Sequence, residues 1–266
     1  MRIGIIGTGQ MGGMLAEALA EAGHFELSIV NRTQQKADRL QAAHPHSIAV
    51  CATPLAVAER SELLFVCTKF SDLPTVFEQM RPAIAKRHTI VSINSNSSLD
   101  DLETRARCNI AKVIPSVTQY ARAGVLLTMF GPRMNDADRQ SLRQVLQTIG
   151  TPLEIAEADT RIYSDLSSCG PAFLSDWLNA MASAASERGI AVDTAAQVLG
   201  QMVLGVGKLL TERGVSFTDI IDTVAVPNGV TIAGLRVLRE CDRELFSRVF
   251  SATAARQQEI SQHGHS

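Results

Sequence analysis

From residue 2 to about residue 158 the chain alternates short apolar, β-rich runs with segments of helical spacing; the runs are RIGII, ELSIV, SIAV, LLFVC, TIVSI, IAKVI, VLLTMF and PLEIA. That alternation predicts βα units on a mainly parallel sheet. In the first helical segment Met11, Leu15, Leu19 and Ala22 recur on one face, which would pack on the sheet. After Glu157-Ala158-Asp159 the strand signal stops, and Leu174, Trp177, Leu178 and Met181 fall at i, i+3, i+4 and i+7. A further helix, from about Asp193 to Arg213, is apolar nearly all round and contains Gly200, Gly205 and Gly207. Glycines cost helix stability but let another backbone come close, so this helix is expected to be buried on several sides. The second half offers few other faces to cover it, which leaves a subunit interface or an ordinary core within the domain.

Composition narrows the partner. The 25 basic and 27 acidic residues leave a net charge of -2, with no broad basic field for nucleic acid or an anionic membrane. A small-molecule ligand is expected instead. Five scattered cysteines, Cys51, Cys67, Cys108, Cys169 and Cys241, never form a CxxC pair and read as reduced thiols of a cytoplasmic protein. RIGIIG begins at residue 2, so no signal peptide is expected, and the greasy run from Val198 to Leu210 is short for a membrane span and carries Gln201 and Lys208. The cysteines and histidines lack metal-ligand spacing, so no metal is expected, and the QHGHS tail is expected to be disordered.

IGIIGTGQMGGMLAEAL supplies Gly7, Gly9 and Gly12 as G-x-G-x-x-G between an apolar strand and a helix. Gly7 permits the tight turn, Gly9 lets the backbone approach a pyrophosphate, and Gly12 allows close helix-on-strand packing; the phosphates then sit on the helix N-terminus. Thr8, Gln10 and Met11 lie in the same loop and join the candidate cofactor-binding set. Where an NAD enzyme carries Asp or Glu for the ribose 2′-hydroxyl, this chain reads Asn31-Arg32-Thr33. Arg32 can pair with a 2′-phosphate through its planar fork, with Asn31 and Thr33 adding hydrogen bonds, so NADPH is preferred over NADH. Thr33 could equally cap the second helix and Arg32 be a solvated charge. Thr68 and Lys69 follow the fourth strand at the carboxyl edge, where ligands of such folds bind; Lys69 reads either as a cofactor contact or as a surface lysine before a capping Ser71. The fold expected is α/β: an amino-terminal Rossmann-type doubly wound parallel sheet over residues 1–158, then an all-helical dimerisation domain over 159–266.

The six histidines fall at 24, 44, 46, 88, 263 and 265, so the helical half has none outside its tail. A nicotinamide enzyme without histidine or metal best suits a substrate that is already electrophilic, such as a protonated imine. SDLSSCGPAFLSDWLNAMASAASERGI followed by AVPNGVTIAGLRVLRE resembles the pyrroline-5-carboxylate reductases, whose second domain carries SGSGPAY and PGGTTIAGLxxLE. The resemblance covers essentially the whole chain. It implies a helical domain that intertwines into dimers or larger rings, and NADPH-dependent reduction of 1-pyrroline-5-carboxylate to L-proline. By position it makes Thr231 the residue that hydrogen-bonds substrate near the ring nitrogen, places Gly229 and Val230, beside Asn228, in the backbone turn that binds the carboxylate, and sets Ser167, Ser168, Cys169 and Gly170 near nicotinamide and substrate.

Departures matter too. IPSVT replaces the family's MPNTP, PNGVT replaces PGGTT and TKF replaces VKP, which makes the chain look most like the family's divergent late competence branch, ComER. Residues with side chains at 228 and 230 are expected to make the turn less free to adopt positive φ. A non-catalytic, NADP(H)-binding regulatory protein is the alternative. A β-hydroxyacid dehydrogenase would need a lysine shortly after Gly170, where the chain reads PAFLSDWLN.

Overall fold

The computed structural model describes residues 1–240 and 244–263. Each of the eight apolar runs becomes a strand: β1 Arg2–Ile6, β2 Glu26–Val30, β3 Ile48–Val50, β4 Leu63–Val66, β5 Thr89–Ser92, β6 Asn109–Ile114, β7 Val125–Phe130 and β8 Thr151–Glu154. They form one sheet in the order β3-β2-β1-β4-β5-β6-β7-β8. All neighbours pair in parallel except β6 and β7. The segment joining those two holds only a 3-10 turn, Val117–Ala121, where a parallel return needs a full crossover.

Helices α1 Gln10–Ala22, α2 Gln34–Ala43, α3 Pro54–Arg60, α4 Leu73–Met80, α5 Leu99–Arg105 and α6 Asp136–Gln147 fill the intervals. Several start where a side chain accepts an otherwise orphan amide: Thr53 Oγ1 from Ala56 at 3.2 Å, Ser98 Oγ from Asp101 at 3.0 Å and Asn135 Oδ1 from Asp138 at 2.9 Å. Both faces of the sheet are covered. Ile3, Ile5 and Phe65 pack with Met14, Leu15, Leu19, Ala37 and Leu146 on one side. Ile6, Leu64 and Val66 pack with Val57, Leu73, Phe77 and Leu102 on the other. Successive strand residues alternate between two apolar layers, which is why the strands read as continuous apolar runs.

Beyond β8 come α7 Thr160–Ser164, a π-helical turn Asp165–Cys169, α8 Gly170–Ser186, α9 Val192–Glu212, α10 Phe217–Val224, α11 Val230–Glu240 and α12 Leu245–His263. The chain divides into two compact units, Met1–Pro171 together with the chain from Arg256 on, and Ala172–Ala255. The second unit is helical, with Trp177 and Phe246 rings 5.9 Å apart. Among its described residues Ala182 and Ala195 alone are buried apolar side chains. The expected burial of α9 is not met within this chain: Val198 is 63% exposed and Leu204 52% exposed. A Cβ at Gly200, Gly205 or Gly207 would meet no atom within 4 Å. Of the two covers expected for α9, the core within the domain is not supplied by the described residues.

Expectations for Cys241 and for the tail's last three residues, 264–266, lie outside the described residues; the backbone of Gln262 and His263 ends α12.

Candidate functional site

Strand β1 runs out at Ile6, and the Gly7 amide then donates to Val30 O at 2.8 Å as the chain turns. Gly7 has φ +93°, a conformation that a side chain disfavours, and a Cβ there would lie 3.0 Å from Cys67 O. A Cβ on Gly12 would stand 1.9 Å from Gly7 O and 2.8 Å from Cys67 Cβ, so α1 reaches the sheet only through glycine. At Gly9, the N-cap of α1, a Cβ would meet nothing within 4 Å. The three glycines therefore serve three ends: backbone conformation at Gly7, packing at Gly12, and open approach at Gly9. The first amides of α1, from Gln10 and Met11, have no acceptor within the helix, and no side chain caps them. Free amides at a helix start suit an anion.

Asn31 is bound into this loop. Its Oδ1 accepts from the Thr8 amide at 3.0 Å and its Nδ2 donates to Thr33 O at 2.9 Å, which fastens the end of β2 to the glycine turn. Arg32 beside it is exposed and has no polar partner among the described residues. Thr33 stands at the N-cap of α2, but its hydroxyl makes no capping bond, and the first turn of α2 carries no acidic residue. Lys36, which sequence reasoning passed over, lies in that same first turn. Arg32, Lys36 and a helix N-terminus thus gather positive potential at the end of β2.

Thr68 and Lys69 follow β4 on the opposite side of the glycine loop. The hydroxyls of Thr8 and Thr68 are buried with no hydrogen-bond partner among the described residues. A Cβ on Gly7 would lie 3.0 Å from Thr68 Cγ2, so the two hydroxyls come from residues flanking one turn. A buried hydroxyl left unpaired costs about 1–3 kcal/mol, and two at one turn fit a phosphate that accepts from them. Lys69 is exposed and precedes the 3-10 turn Phe70–Asp72; the residue at the N-cap of α4 is Asp72, not Ser71. Burial pushes the Cys67 thiol up, so Cys67 is a wall of the turn rather than a nucleophile.

Ser167, Ser168 and Cys169 lie on the π-helical turn, a feature that no periodicity in the sequence announced. Ser167 Oγ donates to Tyr163 O at 2.8 Å and Ser168 Oγ to Ser164 O at 3.0 Å, so both hydroxyls can still accept. Arg161 Nη2 lies 3.3 Å from Cys169 Sγ and 2.7 Å from Oδ1 of the buried Asp165. Burial opposes the Arg161 charge, but the bonds to Asp165 outweigh it and hold the guanidinium above its ordinary value. A Cβ on Gly170 would lie 3.3 Å from Asp165 O.

The 228–231 turn belongs to the second unit. Gly229 N donates to Val226 O at 3.0 Å, with Pro227 and Asn228 between them, and Asn228 has φ +61°. The expectation that side chains at 228 and 230 would keep the turn from positive φ is thus corrected: Asn228 takes it, as asparagine does more readily than most residues. A Cβ at Gly229 would lie 2.9 Å from Val226 Cγ2. Val230 opens α11 and is 92% exposed. Thr231 is half-buried, and its hydroxyl has no partner among the described residues. The first amides of α11 are without intrahelical acceptors, as at any helix start.

One pair escaped sequence reasoning altogether. Lys112 of β6, 2% exposed, places Nζ 2.6 Å from Glu157 Oε1, and Glu157 also accepts from the Leu99 amide at 3.0 Å. An isolated lysine inside the run IAKVI was the available signal.

Residues 157–260 match the family described as pyrroline-5-carboxylate reductase dimerisation, and residues 2–96 match the family described as NADP oxidoreductase, coenzyme F420-dependent. ComE operon protein 4 of Bacillus subtilis (strain 168) is 34% identical over 97% of this chain and 96% of its own length. Pyrroline-5-carboxylate reductase 3 of Bos taurus is 28% identical over 90% of this chain and 78% of its own. The solved structure of Plasmodium falciparum pyrroline carboxylate reductase with NADP bound superposes with a TM-score of 0.82, covering 100% of this chain and 98% of that one at 19% identity.

Proposed function

Because the chain belongs to the pyrroline-5-carboxylate reductase family, we propose that it is an NADPH-dependent oxidoreductase that reduces the cyclic imine 1-pyrroline-5-carboxylate to L-proline. The observation that carries this reading is the glycine turn, where open space at Gly9 adjoins the unpartnered buried hydroxyls of Thr8 and Thr68. Residues 1–158 carry NADP(H), and residues 159–266 carry the substrate and the dimer contact.

The residues present fit that cofactor. Gly7, Thr8, Gly9, Gln10, Met11 and Gly12 hold the pyrophosphate at the N-terminus of α1. Asn31 keeps the Thr8 amide and the end of β2 in register, while Arg32 and Thr33 take the 2′-phosphate. Thr68 and Lys69 close the other side of the turn. When bound, the nicotinamide supplies a hydride to the carbon of the C=N bond.

The substrate is recognised by its carboxylate and its ring nitrogen. The backbone of Asn228, Gly229 and Val230 delivers amides at the start of α11, which suit a carboxylate. Thr231, whose hydroxyl has no partner among the described residues, accepts from the protonated imine nitrogen and holds its proton there while the carbon is reduced. Ser168 and Cys169 line the substrate side from the π-helical turn. The nitrogen keeps its proton and becomes the amine of proline, so no strong acid is required of the protein.

The protein is a homodimer or larger homo-oligomer, assembled through the apolar helix faces that the described residues of this chain leave uncovered. Among the described residues no helix is long and apolar enough to cross a membrane. On the scattered cysteines and the near-balanced charge we place the protein in the cytoplasm with a small-molecule partner rather than nucleic acid or membrane. A second reading is a regulatory, NADP(H)-binding protein without turnover, favoured by the higher identity to ComE operon protein 4 than to the reductase of Bos taurus, 34% against 28%. Incubation with NADPH and 1-pyrroline-5-carboxylate, following absorbance and proline together, separates the two: proline formation supports the reductase, and cofactor binding without proline supports the regulator.

A further inference from the structure

Between β5 and α5 the chain reads Ile93-Asn94-Ser95-Asn96-Ser97-Ser98, at the carboxyl edge of the sheet. The loop is tied from within. The Asn94 amide donates to Ser92 Oγ at 3.2 Å, Ser97 Oγ donates to Asn94 O at 3.1 Å, and the Asn96 amide donates to Asn94 Oδ1 at 2.9 Å. Ser92 and Ser97 are buried, so the base of the loop is fixed. The Asn96 side chain is held from outside instead, by Gln257 near the end of α12.

Gln257 Nε2 donates to Asn96 Oδ1, while Gln257 Oε1 accepts from Arg161 Nη1 at 3.3 Å. Arg161 is itself held by Asp165, at 2.7 Å and 3.3 Å. A carboxamide that donates on one side and accepts on the other has a single satisfied orientation. The chain of bonds therefore joins the β5 loop, the part of α12 from Arg256 on, α7 and the π-helical turn within one compact unit.

The sheet order gives this clasp a place in the reaction. The glycine turn follows β1, which has β2 on one side and β4 on the other, and Arg32 puts the adenosine half on the β2 side. A dinucleotide spans the switch point, so its nicotinamide half lies over the ends of β4 and β5, where the Asn96 loop is.

We propose that Gln257 is a positioning residue that, through Asn96, sets the β5 loop for the nicotinamide half of the cofactor. This rests on the reading that the sheet edge binds NADP(H). A loop displaced by about 1 Å is enough to cost up to roughly a hundredfold in rate, because hydride transfer depends on near-attack geometry.

The test compares NADPH with 2′-phospho-ADP-ribose, the same ligand without its nicotinamide, by titration against wild type, Gln257→Ala, Gln257→Glu, Asn96→Ala and the double Asn96→Ala/Gln257→Ala. Gln257→Glu keeps the acceptor for Arg161 and loses the donor to Asn96, so it supplies the answer if the alanine variant folds poorly. NADPH affinity is expected to fall about tenfold in each variant, the size of one lost hydrogen bond, while 2′-phospho-ADP-ribose binds within about twofold of wild type. The double variant is expected to be no weaker than either single alanine variant. Equal weakening of both ligands, no weakening of either, or additive losses in the double variant would each overturn the proposal. A wild-type protein that binds neither ligand overturns the reading of the site itself, and is distinguished by failing before any variant is compared.

Discussion

Gly12 and Gly7 meet so closely that a Cβ on Gly12 would stand 1.9 Å from the Gly7 carbonyl oxygen, whereas a Cβ on Gly9 would meet nothing within 4 Å. Two glycines of one motif therefore fail in different ways when replaced. Gly12→Ala is expected to lower stability by about 3 kcal/mol, the upper part of the overpacking range, in urea unfolding without ligand. Gly9→Ala is expected to unfold within about 0.5 kcal/mol of wild type and yet to lose NADPH binding. If Gly9→Ala destabilised the free protein as much as Gly12→Ala, the open space would not be a ligand's.

Arg32 has no partner among the described residues and adjoins a helix start free of acidic side chains. Arg32→Asp removes the fork that suits a 2′-phosphate and sets a carboxylate against it. The NADPH/NADH preference, measured as a ratio of dissociation constants, is expected to reverse. An unchanged ratio would move the 2′-phosphate away from Arg32.

Glu157 compensates a lysine that is 2% exposed and caps α5 at the same time. Removing one partner of a buried pair is costlier than replacing the pair with apolar groups. Because Glu157 keeps about a third of its surface, water moderates the loss, and Glu157→Ala is expected to cost roughly 2–4 kcal/mol in urea unfolding, with Lys112→Met costing about 1 kcal/mol or less. Equal losses would show that the pair is not what holds β6 to the start of the helical half.

Val198 lies on α9 and is 63% exposed in the single chain. On a free surface Val198→Glu would change stability by no more than about 0.5 kcal/mol. At a subunit interface the same change buries a charge without a partner. Sedimentation is expected to give a dimer or larger species for wild type and a monomer for Val198→Glu; equal masses for the two would remove this face from the interface.

Much of the first unit was legible in the sequence because a doubly covered parallel sheet turns every strand into an apolar run, and the eight runs became eight strands. The glycine motif was legible for the same kind of reason, since each glycine answers a local backbone or packing demand. Pairings across long stretches of chain left no such trace. Lys112 with Glu157, Asn31 with Thr8 and Gln257 with Asn96 are side-chain meetings set by the sheet order and the return of α12. The π-helical turn at 165–169 was hidden because Ser167 and Ser168 bond back to the preceding turn, which any short polar run can do. At Asn228 the expectation erred in treating all side chains alike, because asparagine accepts the left-handed region where most residues resist it.

The most direct measurement follows NADPH absorbance and proline in one reaction of the purified protein with 1-pyrroline-5-carboxylate. One proline formed for each NADPH oxidised, with both lost in Thr231→Val, is the predicted result. Tight NADPH binding without proline at any substrate concentration would contradict the reductase and leave the regulatory reading in its place.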